Sequence, residues 1–216
     1  ETPDYRTLIE SSDRLIVVWR RGTGKSALLY RLTKYWDTTN IKDVRIIKIL
    51  PEEDHVIGMR PILQIFGDKF NIIRAGSRIL WRYAIYMEIV HILSKHYKSV
   101  IVAENQLLQT HLKRWQQSGS GIIGCIRKTL CQIIDTARKP EGNISLISEK
   151  LEVDTIESTL KKIFESSNLK FIILIDQLDE GYEPDNIGIG FIDGLVQATI
   201  DIKTRLNKVR PVLFLR

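Results

Sequence analysis

Short apolar runs alternate along this chain with longer segments that carry apolar residues at helical spacing. The runs have the length and the Ile, Val and Leu content of buried strands. They lie at residues 15–18, 44–50, 171–175 and 209–215. Between the first two, residues 25–36 place Leu28, Leu32 and Trp36 on one side of a predicted helix. Because strand, helix and strand in this order are typical of a parallel sheet, we predict an α/β fold with three layers, α/β/α, around a mostly parallel central sheet.

Helical spacing also dominates the rest of the chain. The predicted helices cover residues 80–97, 104–116, 122–137, 153–166 and 187–207. Residues 1–13 are polar and predict a lead-in segment, and a Ser-rich stretch at 143–150 leads to the next helix. Trp81 and Trp115 are predicted to be core anchors.

The middle of the chain is too long for a simple crossover between two strands. Gly58, Pro61 and Gly67 predict an irregular region over residues 52–75, before the helices begin. We therefore predict a single domain over residues 1–216 that contains a helical insertion at about residues 52–137.

A segment after the first strand has the residues that bind a polyphosphate. It reads Arg20-Arg21-Gly22-Thr23-Gly24-Lys25-Ser26-Ala27 and precedes a predicted helix. Glycines let backbone N–H groups approach phosphate oxygens, and a helix N-terminus favours an anion. We predict that Lys25 contacts the β and γ phosphates and that the Ser26 hydroxyl ligates Mg²⁺. The segment therefore predicts a phosphate loop (P-loop) and an NTPase.

This loop is one residue shorter than the full pattern, G-x-x-x-x-G-K-[ST]. The pattern requires its first glycine five residues before Gly24, where this chain has Trp19. A glycine between Trp19 and Arg20 would complete the match. Two hypotheses stay open: a glycine is missing from the sequence at that point, or the loop is shortened and binds nucleotide poorly.

Acidic residues follow the apolar run 171–175. Asp176 ends that predicted strand, and Asp179 and Glu180 come three and four residues later. Phosphate-loop enzymes present a carboxylate to the magnesium shell, and α/β sheets bind ligands at the carboxyl ends of their strands. We therefore predict that Asp176 serves Mg²⁺ through a water molecule. Asp179 or Glu180 is predicted to polarise the water that attacks the γ-phosphate.

These acidic residues carry a resemblance to a known class. The sequence Asp176-Gln177-Leu178-Asp179-Glu180 resembles the Walker B motif of the STAND and related additional-strand P-loop ATPases, which usually reads Asp-Gly-Leu-Asp-Glu. Gln177 replaces the usual small residue. The stretch 174–182 is also similar to a group of bacterial P-loop ATPases, several of which occur in phage-defence or mobile-element contexts. Residues 211–216 are similar to their sensor-1 strand, which implies that Arg216 contacts the γ-phosphate or its developing charge.

The resemblance implies a cytoplasmic, magnesium-dependent ATPase that acts as a switch or motor, with a role in antiviral defence. Nucleotide state would drive its association with partner proteins or with copies of itself. The lack of an Asn-Lys-x-Asp motif disfavours GTP. Because such ATPases carry segments beyond the sensor-1 strand, we expect further domains after Arg216. The alternatives are a nucleotide-gated scaffold with little turnover and an ATPase stimulated by DNA.

Composition and charge leave the macromolecular partner open. No apolar run approaches the roughly 18–20 residues of a membrane-spanning helix. The net charge of +6 fits nucleic acid or an acidic partner, whereas the dispersed Lys and Arg also fit solvated helix faces. The scattered histidines do not predict a zinc site. Cys125 and Cys131 are predicted to be small buried side chains in a reducing compartment.

Overall fold

The structure is a computed structural model that describes residues 3–11, 13, 15–18, 20, 22, 24–38, 43–97, 105–116, 121–133, 139–178 and 183–215. Within these residues a four-stranded sheet carries helices on both faces. The predicted α/β class and the predicted parallel sheet are therefore confirmed.

The sheet contains four parallel strands. They are β1 Ile16–Val18, β2 Val44–Ile49, β3 Lys170–Ile175 and β4 Val209–Leu215. Their order is β1-β4-β3-β2, so the last strand in the chain lies between the first and the third. All four predicted strands are confirmed, with boundaries within one residue. Since parallel strands point the same way, the segments after β1, β2 and β3 begin at one edge of the sheet.

One face of the sheet packs against α1 (Pro3–Glu10) and α2 (Lys25–Thr38). The cluster between them consists of Leu8, Leu28, Leu29, Leu32, Trp36, Ile172, Leu174, Val212 and Phe214. The alternate residues of β3 belong to the opposite face, and residues 171–175 are all buried. The prediction that this strand is buried on both faces is confirmed.

The other face packs against a larger group of helices that share one hydrophobic cluster. They are α3 Glu53–Leu63, α4 Phe70–Tyr97, α5 Gln106–Gln116, α6 Gly121–Ile133, α7 Pro140–Leu151, α8 Val153–Glu165 and α9 Asn186–Arg205, and a 3₁₀ turn spans Gln64–Phe66. Trp81 and Trp115 are buried, as predicted. Among the described helices, none combines the length and the apolar content that crossing a membrane requires.

The helices α4 and α9 approach each other closely because α9 carries glycines at the contact. A Cβ added to Gly194 would lie 2.5 Å from Ser77 Cβ and 2.9 Å from the backbone nitrogen of Arg78. One turn earlier, a Cβ on Gly190 would lie 2.8 Å from a methyl carbon of Ile73. This close approach buries the apolar side of α9 against α4 and fixes the direction of α9 as it leaves the acidic segment.

The predicted irregular region at residues 52–75 is wrong, because α3 covers most of its first half. Pro61 lies in the last turn of α3, so its missing N–H removes a single hydrogen bond. Burial of Val56, Met59 and Leu63 stabilises the helix despite Pro61. The chain then turns at Gly67, whose φ is 73°.

The prediction for α4 began ten residues too late. Gly76 lies in the part of α4 that was not predicted, and its lack of a side chain is a packing requirement, because a Cβ would lie 2.4 Å from the Phe66 ring. Residues 3–10 and 140–151 are helices, although the sequence predicted a lead-in segment and a Ser-rich stretch. Each begins with proline, which is favourable at the first helical position.

The remaining predicted helices are found with small shifts in their boundaries. Residues 134–137 of the helix predicted at 122–137 lie outside the described residues. Cys125 is buried, as predicted, whereas Cys131 is exposed, so that part of the prediction is wrong. The outward side of α6 carries Cys131 together with polar residues.

Candidate phosphate and acidic site

The described part of the predicted phosphate loop has a backbone that only glycine adopts readily. The φ angles of Gly22 and Gly24 are 81° and 94°, in the left-handed region. Apart from the chain neighbours of each glycine, no atom of the described residues lies within 4 Å of the position that a Cβ would take on either one. The backbone conformation therefore explains the glycines here, and the space beside them is open to a ligand.

The loop leads directly into the N-terminus of α2. Leu28 N–H donates to the carbonyl of Gly24 at 3.0 Å, so the hydrogen bonds of the helix begin within the loop. Ser26 and Ala27 are exposed, and the first turn contains no acidic residue. Because the first amides of a helix lack intrahelical acceptors, this end can bind an anion.

At the end of β3, Asp176 is held by backbone contacts on both sides. Its N–H donates to the carbonyl of Ile49 at 3.0 Å, and its carboxylate accepts from the N–H of Gln177 at 2.8 Å. Only 2% of Asp176 is exposed. Gln177 has a φ of 68°, a conformation that costs an L residue about 1–2 kcal/mol. This is the position at which the resembled Walker B motif usually has glycine.

Lys25 and Asp176 meet at the carboxyl edge of the sheet. Lys25 Nζ lies 2.6 Å from Asp176 Oδ1, and the two side chains are 11% and 3% exposed. The ion pair joins two segments that lie 151 positions apart in the sequence. An ammonium, loop amides and a buried carboxylate therefore lie together, which is the set of groups that binds a metal–phosphate ligand.

The structure describes some of the predicted site residues and not others. Arg20 is exposed at the start of the loop. Trp19, Arg21, Thr23, Asp179, Glu180 and Arg216 lie outside the described residues. The roles of Arg21 and Thr23 in phosphate binding, of Asp179 and Glu180 in water activation and of Arg216 as a sensor remain predictions.

Sequence analysis missed an ion-pair cluster that flanks the acidic segment. The guanidinium of Arg60 on α3 pairs with both carboxylate oxygens of Asp185 and lies 3.1 Å from Glu183. Asp185 also caps α9 by accepting from Gly188 N–H at 2.9 Å. That hydrogen bond, followed by the guanidinium, lowers the pKa of Asp185. An Asp just before a predicted helix indicates a cap, but nothing in the sequence points to Arg60, 125 residues away.

Beside this cluster lies a small, open and largely apolar cavity, lined by Val56, Leu63, Leu178, Phe191 and Ile192. It lies between α3, α9 and the end of the acidic strand, with Arg60 at its border. The cavity is therefore next to the site, but its apolar lining does not suit a phosphate.

The described residues fit a magnesium–nucleotide ligand in their donor chemistry. Mg²⁺ prefers oxygen ligands and is usually held by one or two protein groups together with substrate phosphates. The Ser26 hydroxyl and the Asp176 carboxylate are such groups, and the open glycine backbone can admit a phosphate. Among the described residues there is no cluster of three or more His, Cys, Asp and Glu side chains that could hold a metal without a ligand.

Comparison with known proteins gives one strong similarity. No family model and no solved structure matches this chain. The chain is 43% identical, over 217 residues, to the putative transposon gamma-delta 80.3 kDa protein of Escherichia coli strain K12. The match covers 100% of this chain but 31% of that protein, so the chain spans less than a third of the relative's length. The similarity thus extends over every element described above, including both halves of the site.

Proposed function

We propose that this chain binds and hydrolyses ATP with Mg²⁺ as the core of an additional-strand P-loop ATPase that works as a switch or motor. The ion pair between Lys25 and Asp176 carries the proposal, because it joins the predicted phosphate loop to the predicted magnesium carboxylate. Both residues lie at the carboxyl edge of a parallel sheet, where α/β proteins bind their ligands.

The strand order supports this class. β4 lies between β1, which precedes the phosphate loop, and β3, which ends at Asp176. An additional strand between these two is the feature that the name of the class describes. Since β4 enters the sheet beside both motif strands, its end at Leu215 also points toward the site, next to the predicted sensor Arg216.

Each residue at the site has a distinct proposed role. The loop amides and Lys25 hold the phosphates, and Ser26 and Asp176 hold Mg²⁺, which neutralises charge on the transferred phosphoryl group. Glu180 or Asp179 orients and polarises the attacking water. Because Asp176 is paired with Lys25 in the protein alone, Lys25 would have to turn toward the phosphates before the Asp176 carboxylate could hold Mg²⁺.

Two assays test the proposal: one measures phosphate release from ATP, and the other measures nucleotide binding. Lys25→Ala and Glu180→Gln are compared with Arg31→Ala, which removes an exposed cation from the same helix as Lys25. We expect Lys25→Ala to weaken ATP binding and both site variants to abolish turnover, while Arg31→Ala retains both. Failure of the unmodified chain to bind ATP with Mg²⁺ would refute the proposal.

A nucleotide-gated scaffold with little turnover is the alternative that the shortened loop supports. The first glycine of the full pattern is replaced by Trp19, and the Lys25–Asp176 pair must open before nucleotide binds. Tight ATP binding by the unmodified chain without measurable phosphate release, unchanged by Glu180→Gln, would select the scaffold.

An ATPase stimulated by DNA is the candidate that the similarity supports. The E. coli relative is described as a transposon protein, and a mobile element is one of the contexts of the resembled ATPases. The net charge of +6 adds to this. Turnover measured with and without duplex DNA over a salt series distinguishes this candidate from a DNA-independent switch of the defence type.

A further inference from the structure

The positive charge of the chain is concentrated in one part of its helical region. Between Glu88 and Glu141 there are eight Lys and Arg residues but only two acids, Glu104 and Asp135. This segment therefore carries a net charge of +6, equal to that of the whole chain, and the charges of the remaining residues sum to zero. Over residues 105–133, which include α5 and α6, there are four bases and no Asp or Glu.

The four bases of α5 and α6 lie close to the contact between these two helices. Cys125 Sγ on α6 lies 3.5 Å from the carbonyl oxygen of Trp115 on α5. Lys113 and Arg114 immediately precede Trp115, and Arg127 and Lys128 follow Cys125 by two and three positions. All four are within about one helical turn of the contact. We call these four residues the basic surface.

Three of the four side chains of the basic surface are exposed. Lys113, Arg127 and Lys128 are exposed and Arg114 is half-buried, whereas the buried sides of both helices are otherwise formed by apolar residues, His111 and Thr129. Attraction to a helix C-terminus explains bases in a last turn, as for Lys113 and Arg114. Arg127 and Lys128 lie mid-helix, where that attraction has faded, so helix stability does not account for them.

We propose that the basic surface binds the phosphate backbone of double-stranded DNA. A duplex offers closely spaced negative charges, and each phosphate neutralised by Lys or Arg releases counterions, so the four bases of two helices that contain no Asp or Glu add their effects. The proposal deepens the DNA-stimulated form of the proposed function by naming its surface, and binding at this surface does not itself require ATP.

The same helices disfavour a single strand as the ligand. Proteins that bind single strands stack bases on exposed aromatic side chains. The only Trp, Tyr or Phe in residues 105–133 is Trp115, which is 4% exposed and donates its indole N–H to Glu88 at 3.0 Å. Contacts with phosphates alone are sufficient for a duplex, and they predict binding that depends on salt rather than on base sequence.

The test compares two variants that lose the same charge. Lys113→Gln/Arg127→Gln/Lys128→Gln removes three exposed bases from the basic surface. The control Lys150→Gln/Lys162→Gln/Lys170→Gln removes three exposed bases from α7, α8 and β3. Binding of a labelled DNA duplex is measured without nucleotide between about 50 and 200 mM salt, and circular dichroism checks that both variants fold.

We expect the unmodified chain and the control to bind with similar salt dependence. The surface variant should bind at least about tenfold more weakly at the lower salt, and its salt slope should be smaller by about 2.7, which is 0.9 for each lost contact. Equal binding by the two variants would overturn the proposal. So would a preference for anionic lipid vesicles, an acidic polypeptide or duplex RNA over DNA.

Lys25→Ala separates this proposal from the proposed function. We expect Lys25→Ala to lose ATP binding and to keep DNA binding, because Lys25 lies at the sheet edge and outside the basic surface. If the unmodified chain binds DNA but does not bind ATP, the proposed ATPase is refuted and the basic surface is not. If the unmodified chain hydrolyses ATP but shows no salt-sensitive DNA binding, the basic surface is refuted and the ATPase is not.

Discussion

Replacing Lys25 with Met should destabilise the folded chain even when no nucleotide is present. Asp176 is 3% exposed on its side chain, and its carboxylate lies 2.6 Å from Lys25 Nζ. Without the ammonium, the carboxylate keeps its hydrogen bond from the N–H of Gln177 and remains buried. Removing one partner of a buried ion pair costs about 3–5 kcal/mol, because the other charge is left uncompensated.

The opposite replacement should cost less. In Asp176→Asn the ammonium of Lys25 is left without its carboxylate, but the lysine stem is long and the open loop lies beside it. We therefore expect a loss of about 1–2 kcal/mol. The double variant Lys25→Met/Asp176→Asn removes both charges, so its loss should be smaller than the sum of the two single losses by about 2 kcal/mol or more.

Chemical denaturation followed by circular dichroism measures these free energies of unfolding. For a chain of this size, each kcal/mol corresponds to about 2–4 °C in the melting temperature, so Lys25→Met should melt about 6–20 °C lower. Lys150→Met, an exposed replacement on α7, should change stability by less than about 0.5 kcal/mol. If the loss in the double variant equals the sum of the two single losses, Lys25 and Asp176 do not interact. The contact that supports the proposed site would then be refuted.

Three further changes test the fold around the site. Gly194→Ala should lower the free energy of unfolding by about 1–3 kcal/mol, because its Cβ meets the α4 backbone. Gly58→Ala, inside α3, should raise the free energy of unfolding by about 0.5–1 kcal/mol, because its Cβ would make only an ordinary contact with Arg127 Nη1 at 3.6 Å. Gln177→Gly should raise the free energy of unfolding by about 0.5–1 kcal/mol, because glycine adopts the positive φ at this position without strain. Gln177→Ala should not, because alanine is strained there as well. Burial lowers the pKa of His111 below its value of about 6.5 in the unfolded chain. Because the unfolded chain then binds the proton more readily, the free energy of unfolding should fall as the pH drops below about 6.5. Denaturation at several pH values should show a weaker dependence on pH for His111→Asn.

The strands could be predicted from sequence because each is an apolar run with clear ends. In β3, five consecutive apolar residues require burial on both faces, and the parallel sheet between two helical layers provides it. β4 is equally apolar and ends within the sheet at Leu215. The order of the strands is not visible in such patterns, since it depends on which long-range pairs form.

The helices were harder to predict where packing requires a residue that usually breaks a helix. Gly76 leaves room for the Phe66 ring, and Pro61 is tolerated near the end of α3. Both residues lower the local helical propensity, and contacts with distant residues outweigh that effect. A single sequence contains no sign of those contacts, which is why residues 52–75 were predicted to be irregular.

The two halves of the site could be predicted because their chemistry is local. Glycines before Lys25 and a carboxylate after a buried strand are recognisable in short segments, and the parallel sheet explains why they meet. The positive φ of Gln177 was not predicted, although its position in the resembled motif usually holds glycine, which adopts that conformation without strain. The pairing of Arg60 with Asp185 had no local signal.

The helix α3 gives the site and the basic surface a shared structural element. It begins four residues after β2 ends, and Arg60 pairs with Asp185, the cap of the helix that follows the acidic segment. On its other side α3 packs against α6, where Arg127 Nη1 lies 3.6 Å from the position of a Cβ on Gly58. A duplex held by Arg127 would therefore act on the helix that also contacts the flank of the proposed nucleotide site. Coupling between DNA binding and the proposed site requires that α3 has two arrangements, which differ in its contacts with Asp185 and with α6. The Arg60–Asp185 pair is partly exposed and therefore salt-sensitive, whereas the α4–α9 contact is tightly packed. We therefore expect such a change to alter the ion pair at the end of α3 rather than the α4–α9 contact.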